Sequence, residues 1–465
     1  MNDEVTLPFT YYAAAGLTAA GLAYGLANIA AYWSTPLLAV LGTFAVWYLV
    51  EPIYMAEEFV YLAPSHVETA YLCATIFVAA FMALYGLLRP VLEPSARGSS
   101  GPIARSMFTR GSISPDGLAV LAVAGWVFLL AYGTWRMGGD LLGALFPLEG
   151  RATGSMWARA AGSGAGSGGF VVSTATYLYT LTLASFGLML PIVRRRSTAI
   201  LLVAAIVIAW PYAFLQGSRN VTLAVVTPMF ASLFLFTRLA LWLKLAILAA
   251  GGLVVETAFR LIIASRDKGF ALAEVRGLEE QKHLGLNMAS ELTYVVGFLD
   301  EGLLRLSYGG RYVAELANVV PRALWPGKPL IGIDYANLRG FGGAVNDIGV
   351  HATISTGMVG QGVLNFGLWL GPVAAALLLA VWASLLNRLR LQGSAPRVAL
   401  FLVGLGLTFN LGRDVTLLVL FPFLFGYALI LMLELHTAPQ RRSTRRPIDA
   451  PALVQAGTGR AARHR

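Results

Sequence analysis

The sequence predicts an all-α, polytopic integral membrane protein with one long polar loop, and three observations carry that prediction. Of the 465 residues, 57% are hydrophobic and only 12% are charged, a balance that excludes a soluble globule with an ordinary polar surface. Apolar stretches of about 17 to 25 residues recur along the chain, each long enough to cross a hydrocarbon core of roughly 30 Å. In lipid such stretches must be helices, because every backbone N–H and C=O has to be satisfied within the segment. The third observation is the stretch from Ser265 to Thr356, the longest run too polar to sit in a bilayer.

In order, the apolar spans fall at Tyr11 to Trp33, Pro36 to Met55, Val67 to Leu88, Leu118 to Trp135 and Phe170 to Val193. Ala199 to Leu215, Val221 to Phe236, Leu239 to Ile263, Gly357 to Leu386, Val398 to Leu411 and Val415 to Leu433 follow. The expected total is about 11 transmembrane helices, within a range of about 10 to 12. The chain divides into an N-terminal helix bundle over 1–263, the long loop over 264–356, further membrane helices over 357–436 and a basic tail over 437–465. The tail, with Arg441, Arg442, Arg445 and Arg446, is poor in apolar residues and is expected to be disordered. Within the loop, helical periodicity is expected over Ala271 to His283 and Asn287 to Leu306. The second of these places Leu292, Val295, Val296, Leu299 and Leu303 on one face, an amphipathic helix that lies in the interface or under neighbouring helices rather than crossing. After Pro321 the spacing of Pro and Gly predicts an irregular segment from Arg322 to Asp347.

The net charge of +10 does not point to nucleic acid, because the cations lie between and beside apolar segments and mark topology. Arg89, Arg97, Arg105 and Arg110 share one connection, Arg194, Arg195 and Arg196 another, and Arg388, Arg390 and Arg397 a third. In an eleven-span count all three fall on one side, which the positive-inside rule makes cytoplasmic. The opposite side receives Glu57 and Glu58, the glycine-rich turn from Ser163 to Gly169, the loop around Arg219, the long loop, and Arg413 with Asp414. The acidic start, Met1 to Glu4, does not read as a signal peptide. The lone cysteine, Cys73, rules out an intramolecular disulfide and any cysteine metal cluster. No His-Glu-x-x-His, Walker loop or Gly-x-Ser-x-Gly elbow is present.

The outward side carries an excess of cations that topology does not require: Arg219, Arg260, Arg266, Arg311, Arg322, Lys328, Arg339 and Arg413. Arginine offers a planar fork of donors matched to phosphate oxygens and stays charged at any relevant pH. A pyrophosphate held by Arg219, Arg311, Arg322, Lys328, Arg339 and Arg413 is a matching ligand, and anionic lipid headgroups, which scattered arginines would satisfy, are the alternative. His351, with an ordinary pKa of about 6.5, is the candidate general base. Asp414, Glu291, Asp300 and Glu301 are weaker candidates, because carboxylates at helix ends are often caps or ion-pair partners. Glu51 and Glu256 lie in or near apolar spans, where burial is costly, so they are either functional or paired with Lys244 or an arginine. No metal site is expected, although Glu57 and Glu58, adjacent acids in the first outward loop, could hold a divalent cation or act as a base.

Three stretches give the chain a family resemblance: Gly217-Ser218-Arg219 after a span, Tyr308-Gly309-Gly310 followed by Pro321-Arg322-Ala323-Leu324-Trp325-Pro326-Gly327-Lys328-Pro329, and Asn365-Phe366-Gly367 entering the next helix. Over roughly Leu202 to Leu433 the chain resembles the bacterial Wzy-type O-antigen polymerases, the oligosaccharide repeat-unit polymerases related in architecture to O-antigen ligases. The resemblance implies an inner-membrane glycosyltransferase with a periplasmic active site, acting without metal, cofactor or nucleotide sugar. Its donor and acceptor would be glycans on undecaprenyl pyrophosphate, built into O-antigen, lipopolysaccharide or exopolysaccharide. Its partners would be membrane lipids, a chain-length regulator and a flippase. The family's arginine-dependent loops map onto Arg219 and Arg322, which with His351 form the expected catalytic set. Gln361 stands where an acidic residue is common in the family, which shifts the expected base to His351. The rival readings are an O-antigen ligase, a transferase using a polyprenyl-monophosphate sugar with a metal, and a glycolipid flippase. A flippase needs polar groups in both membrane halves and internal repeats, and the sequence offers neither.

Overall fold

A computed structural model describes residues 7–29, 31–92, 113–148, 156–157, 168–216, 219–237, 239–265, 287–317, 320, 324–325, 327, 332–340, 354–392, 394–415 and 417–442. The described residues are mostly helical and contain no strand. The helices are α1 Phe9–Ala27, α2 Ser34–Phe44, α3 Glu51–Tyr54, α4 Pro64–Leu92, α5 Pro115–Arg136, α6 Leu141–Leu145, α7 Gly168–Met189 and α8 Arg196–Leu215. They continue with α9 Arg219–Phe236, α10 Leu241–Ser265, α11 Met288–Asp300, α12 Gly310–Ala317, α13 Ile333–Leu338, α14 Gly357–Gln392, α15 Ala395–Leu411 and α16 Leu417–Arg442. A π-helical turn, Ala45–Val50, joins α2 to α3, and a 3-10 turn, Ala56–Phe59, precedes α4.

Four of these helices, α4, α5, α8 and α14, are long and apolar enough to cross a membrane by length and composition. Large apolar side chains such as Phe128, Ile200, Val207, Trp242 and Leu253 are exposed on the helices, as expected of surfaces that meet lipid rather than water. α1, α2, α4, α5, α7 to α10 and α14 to α16 lie over apolar stretches picked out in the sequence, with ends displaced by a few residues, whereas α6, α12 and α13 lie over none. Ser114 accepts from Gly117 N at 3.0 Å and Pro115 occupies the first turn, so α5 starts before its apolar run.

The ends of the bundle can be read from contacts. Rings stack down its middle from Tyr48 to Phe44 (4.9 Å), Phe77 (5.5 Å), Phe81 (6.3 Å) and Tyr85 (5.8 Å). At the lower end Tyr85 Oη donates to Trp33 O at 2.8 Å and accepts from Asn387 Nδ2 at 2.6 Å. Arg89 lies over the Trp33 ring, Arg390 donates to Tyr32 O, and Arg397 pairs with Glu434 at 2.6 Å. At the upper end Tyr11 donates to Leu49 O, Trp47 to Phe409 O, and His66 meets Asp300 at 3.2 Å. The short helices α11 and α13 sit at this upper end.

The most consequential departure from a plain bundle is in α14, which is two helices meeting at Gly367 (φ 80°, ψ −178°). That backbone angle belongs to glycine. The first piece, 357–366, folds back against the second so closely that a Cβ on Gly362 would lie 2.3 Å from Gly371 O. Only hydrogen fits between these backbones. Cys73 of α4 donates to Leu368 O at 3.3 Å, next to the kink. The first piece is buried from Gly357 to Asn365, so the span expected as one rod from Gly357 to Leu386 is a short buried helix followed by a long one.

Other expectations need correction. The amphipathic helix starts where expected, capped by Asn287 Oδ1 on Ala289 N and Ser290 N, and buries Leu292, Val295 and Val296. It ends at Asp300, because Gly302 adopts φ 71°, and Leu303 is exposed instead of completing the face. The irregular segment from Arg322 to Asp347 contains α13. The tail expected to be disordered from 437 is helical as far as Arg442, and its remainder, like Ala271 to His283, lies outside the described residues.

Candidate functional site

The loop returning from α11 is seated on the α14 kink. Ser307 N donates to Leu364 O at 3.0 Å and Tyr308 N to Asn365 O at 2.9 Å. The Asn365 side chain accepts from Ser307 Oγ at 2.8 Å and from Arg311 N at 3.2 Å, while its Nδ2 donates to Gln361 O at 2.8 Å. Asn365 is fully buried, so its amide satisfies both the loop and the helix it belongs to. Tyr308 is held at φ 46°, a costly angle for a bulky residue, and Gly309 follows at φ 89°. This double left-handed turn launches α12, placing Arg311 and Tyr312 in its first turn. Arg311 pairs with Asp334 of α13, and the Tyr312 and Phe366 rings lie 6.4 Å apart.

Beside it, α11 and α13 are locked by a buried ion pair. Arg339 donates to Glu291 through Nη2 at 3.1 Å and Nε at 3.3 Å, and its guanidinium stacks 3.6 Å over the Tyr294 ring. Tyr335 Oη donates to Glu291 as well. Burial alone would lower the pKa of Arg339, but the hydrogen bonds and charge of Glu291 override it and raise it. Burial, and then the Glu291 charge, hold the Tyr335 phenol well above its ordinary value. Glu58 joins this group by accepting from Ser290 Oγ at 2.7 Å, and burial lifts its carboxyl above the usual range.

The turn between α15 and α16 is stitched to the start of α14. Met358 N donates to Gly412 O at 3.2 Å and Val415 N to Gln361 Oε1 at 3.0 Å. Asp414 Oδ1 accepts from Thr356 N at 3.3 Å and from Thr356 Oγ1 at 3.4 Å. The residue keeps an accessible edge, but its carboxyl is surrounded by protein, and this desolvation raises it to about 6 against the opposing pull of Ser355, Arg413 and Thr356. Tyr48 Oη accepts from Val359 N at 3.1 Å, and the Arg413 guanidinium lies 6.0 Å from the Trp47 ring.

Of the residues expected from sequence, Arg311, Arg339 and Arg413 are at this end, each in a different setting: an ion pair with an exposed carboxylate, an ion pair with a buried carboxylate, and an aromatic ledge. Arg339 is therefore engaged by Glu291, and Glu291 by Arg339, which makes the pair a fastener between α11 and α13. Arg219 opens α9, with its side chain outside the described residues, as are Arg322, Lys328 and His351 altogether. Asp300 pairs with His66. Lys244 donates to Phe234 O at 2.7 Å, and the side chains of Glu51, Glu57 and Glu256 are outside the described residues. No group of three metal-ligating side chains occurs among the described residues. Sequence reasoning missed Tyr48, Tyr312 and the anchoring role of Asn365. The tyrosine after Gly309-Gly310-Arg311 was the available signal for one of them, and nothing local ties Tyr48 to a partner three hundred residues away.

Among the described residues these features define an all-α protein with the apolar helices of a membrane-embedded chain and one end where cations, buried carboxyls and a strained turn gather. No protein-family model matches the chain, and no curated protein or solved structure shows significant similarity to it.

Proposed function

We propose that this chain is a membrane glycosyltransferase that joins undecaprenyl-pyrophosphate-linked oligosaccharide repeat units into O-antigen or exopolysaccharide, working at the outward face of a bacterial inner membrane. The chain then crosses the bilayer about eleven times, through α1, α2 with its π turn, α4, α5, α7 to α10, the second piece of α14, α15 and α16. The short helices α11 to α13 cover the outer end. The grouping of Arg89, Arg390 and Arg397 at the opposite end supports a cytoplasmic lower face.

The observation that carries the reading is the seating of Ser307, Tyr308 and Arg311 on Asn365. Two of the stretches that give the chain its resemblance, more than fifty residues apart, form one structural unit. In this reading both lipid anchors stay in the bilayer while their head groups meet beneath α12. Arg311 and Arg413, with Arg219, Arg322 and Lys328, hold the pyrophosphate and offset the charge that develops as it leaves. Arg339 contributes indirectly by fixing α13 to α11. The acceptor hydroxyl oxygen bonds to the anomeric carbon from the face opposite the pyrophosphate, the carbon–phosphate-oxygen bond breaks, and the configuration inverts. The hydroxyl proton goes to a base at this end, for which His351 is the candidate from sequence.

A deletion strain scored for surface polysaccharide on a gel tests the reading. The polymerase predicts single-repeat chains in the deletion and a restored ladder on complementation, lost again with Arg311→Gln or Arg322→Ala. Long chains that never reach the cell-surface lipid would identify a ligase instead. An unchanged ladder in the deletion would refute the proposal.

A further inference from the structure

Asp414 is a costly anchor for the chain that enters α14. Its Oδ1 receives Thr356 N and Oγ1 at 3.3 and 3.4 Å, a task that needs only an acceptor and that Asn or Ser performs without a charge. A carboxylate here must be taken out of water. It also interacts electrostatically with two phenols, Tyr48 of the π turn and Tyr312 of α12, which interact with each other as well. Arg413 on the same turn is the cation that faces it. Structural need does not explain a charge in this position, and desolvated carboxyls with specific neighbours are characteristic of working sites.

Tyr312 supplies a second, independent oddity. Its hydroxyl is buried and has no hydrogen-bond partner among the described residues, although such a group nearly always finds one. The ring lies 6.4 Å from Phe366 on the strained side of the kink, and Trp47 stands beside Arg413 across the turn. A phenol with an open hydrogen-bonding position, a carboxyl and aromatic walls together suit an uncharged, hydroxyl-rich ligand, which is what a sugar ring is.

We infer that Asp414 takes the proton from the attacking sugar hydroxyl and that Tyr312 holds that hydroxyl in place, so the α15–α16 turn and the first turn of α12 form the acceptor half of the site. The inference rests on the glycosyltransferase reading and adds to it the base and the acceptor subsite. In the step, the acceptor O–H bond breaks and its proton passes to the Asp414 carboxylate. The freed electron pair makes the new bond to the anomeric carbon, and the old bonding pair departs on undecaprenyl pyrophosphate. Asp414 returns its proton to water as product leaves. A carboxyl raised to about 6 suits this role, being ionised at neutral pH and more basic than an exposed aspartate. His351 becomes dispensable for the proton transfer.

The test uses the full-length protein in proteoliposomes with undecaprenyl-pyrophosphate-linked repeat units, polymer being read on gels from pH 4.5 to 8. Wild-type rate is expected to fall about tenfold per pH unit below a midpoint of about 6. Asp414→Asn should lose at least roughly a hundredfold at every pH, while Asp414→Glu keeps partial activity with a displaced acidic limb. Tyr312→Phe, which removes no described contact, should fold like wild type and weaken acceptor use roughly tenfold, as loss of a hydrogen bond worth about 1.4 kcal/mol would. Asp414→Asn within about threefold of wild type, an acidic limb that survives in Asp414→Asn, or one displaced only by His351→Gln would overturn the inference. So would Tyr312→Phe with unchanged acceptor kinetics. If wild type makes no polymer, it is the glycosyltransferase reading that fails, and the assignment of Asp414 falls with it.

Discussion

Replacing Gly362 by alanine tests the helical hairpin inside α14 directly. The added Cβ would lie 2.3 Å from Gly371 O, 2.9 Å from Gly371 C and 3.0 Å from the Ala375 Cβ. Ordinary contact begins near 3.4 Å, so the two backbones must separate by about an ångström, and no flexible side chain can move aside. Overpacking of this kind costs about 1 to 3 kcal/mol or more, and the higher helix propensity of alanine returns at most about 1 kcal/mol. The net loss should be about 2 kcal/mol, which for a chain of this length is a fall in Tm of about 2 °C. Cys73 makes the measurement simple, because it is the only cysteine, is buried, and bonds to Leu368 O beside the kink. A thiol-reactive dye that fluoresces on labelling will report the opening of that region in detergent. Gly86→Ala serves as the control, because a Cβ there meets nothing within 4 Å, and its Tm should stay at or slightly above wild type. If Gly362→Ala melts with the control, the two pieces of α14 do not pack as described.

Asn365→Ala leaves Arg311 N without its acceptor, costing about 1 to 3 kcal/mol, and Ser307 Oγ with Leu364 O alone, so the 307–311 turn should become a site of limited proteolysis. Arg339→Met strands the buried Glu291 carboxylate and should destabilise by about 3 to 5 kcal/mol, whereas adding Glu291→Gln should recover part of that in a double-mutant cycle. Arg311→Met should cost far less stability, because its partner Asp334 is 55% exposed, and a loss like that of Arg339→Met would contradict the distinction. Asp414 has a pKa raised to about 6, above its ordinary 3.8, so the folded protein binds a proton more tightly than the unfolded chain. Its contribution to stability is therefore greatest below about pH 4 and is lost as pH rises through about 6. Asp414→Asn should remove that dependence and be at least as heat-stable as wild type at pH 7, as measured by Tm across pH.

The helices were legible because their information is local: an apolar run of sufficient length has one way to satisfy its backbone in lipid. The start of α11 was equally local, written in Asn287 and the spacing of Leu292, Val295 and Val296. The kink in α14 was not, since Gly367 looks like any glycine until Gly371 is brought against Gly362. Arg339 shows the same limit for the site. As a lone arginine outside a span it read as a pyrophosphate ligand, and only the fold reveals that Glu291, Tyr294 and Tyr335 enclose it. Asn365 and Tyr308 were singled out as members of separate stretches, and their hydrogen-bonded contact is tertiary. Asp414 was visible as a carboxylate but not as a desolvated one, because burial depends on the neighbours that α12 and the π turn supply.

Native mass spectrometry of the purified full-length protein, with undecaprenyl-pyrophosphate-linked oligosaccharide and with undecaprenyl monophosphate, asks most plainly whether this end of the bundle grips a diphosphate. The diphosphate lipid should be retained preferentially, and Arg413→Gln combined with Arg311→Gln should abolish the preference while leaving the fold intact. Equal retention of both lipids by wild type, or an undiminished preference in the double variant, would contradict it.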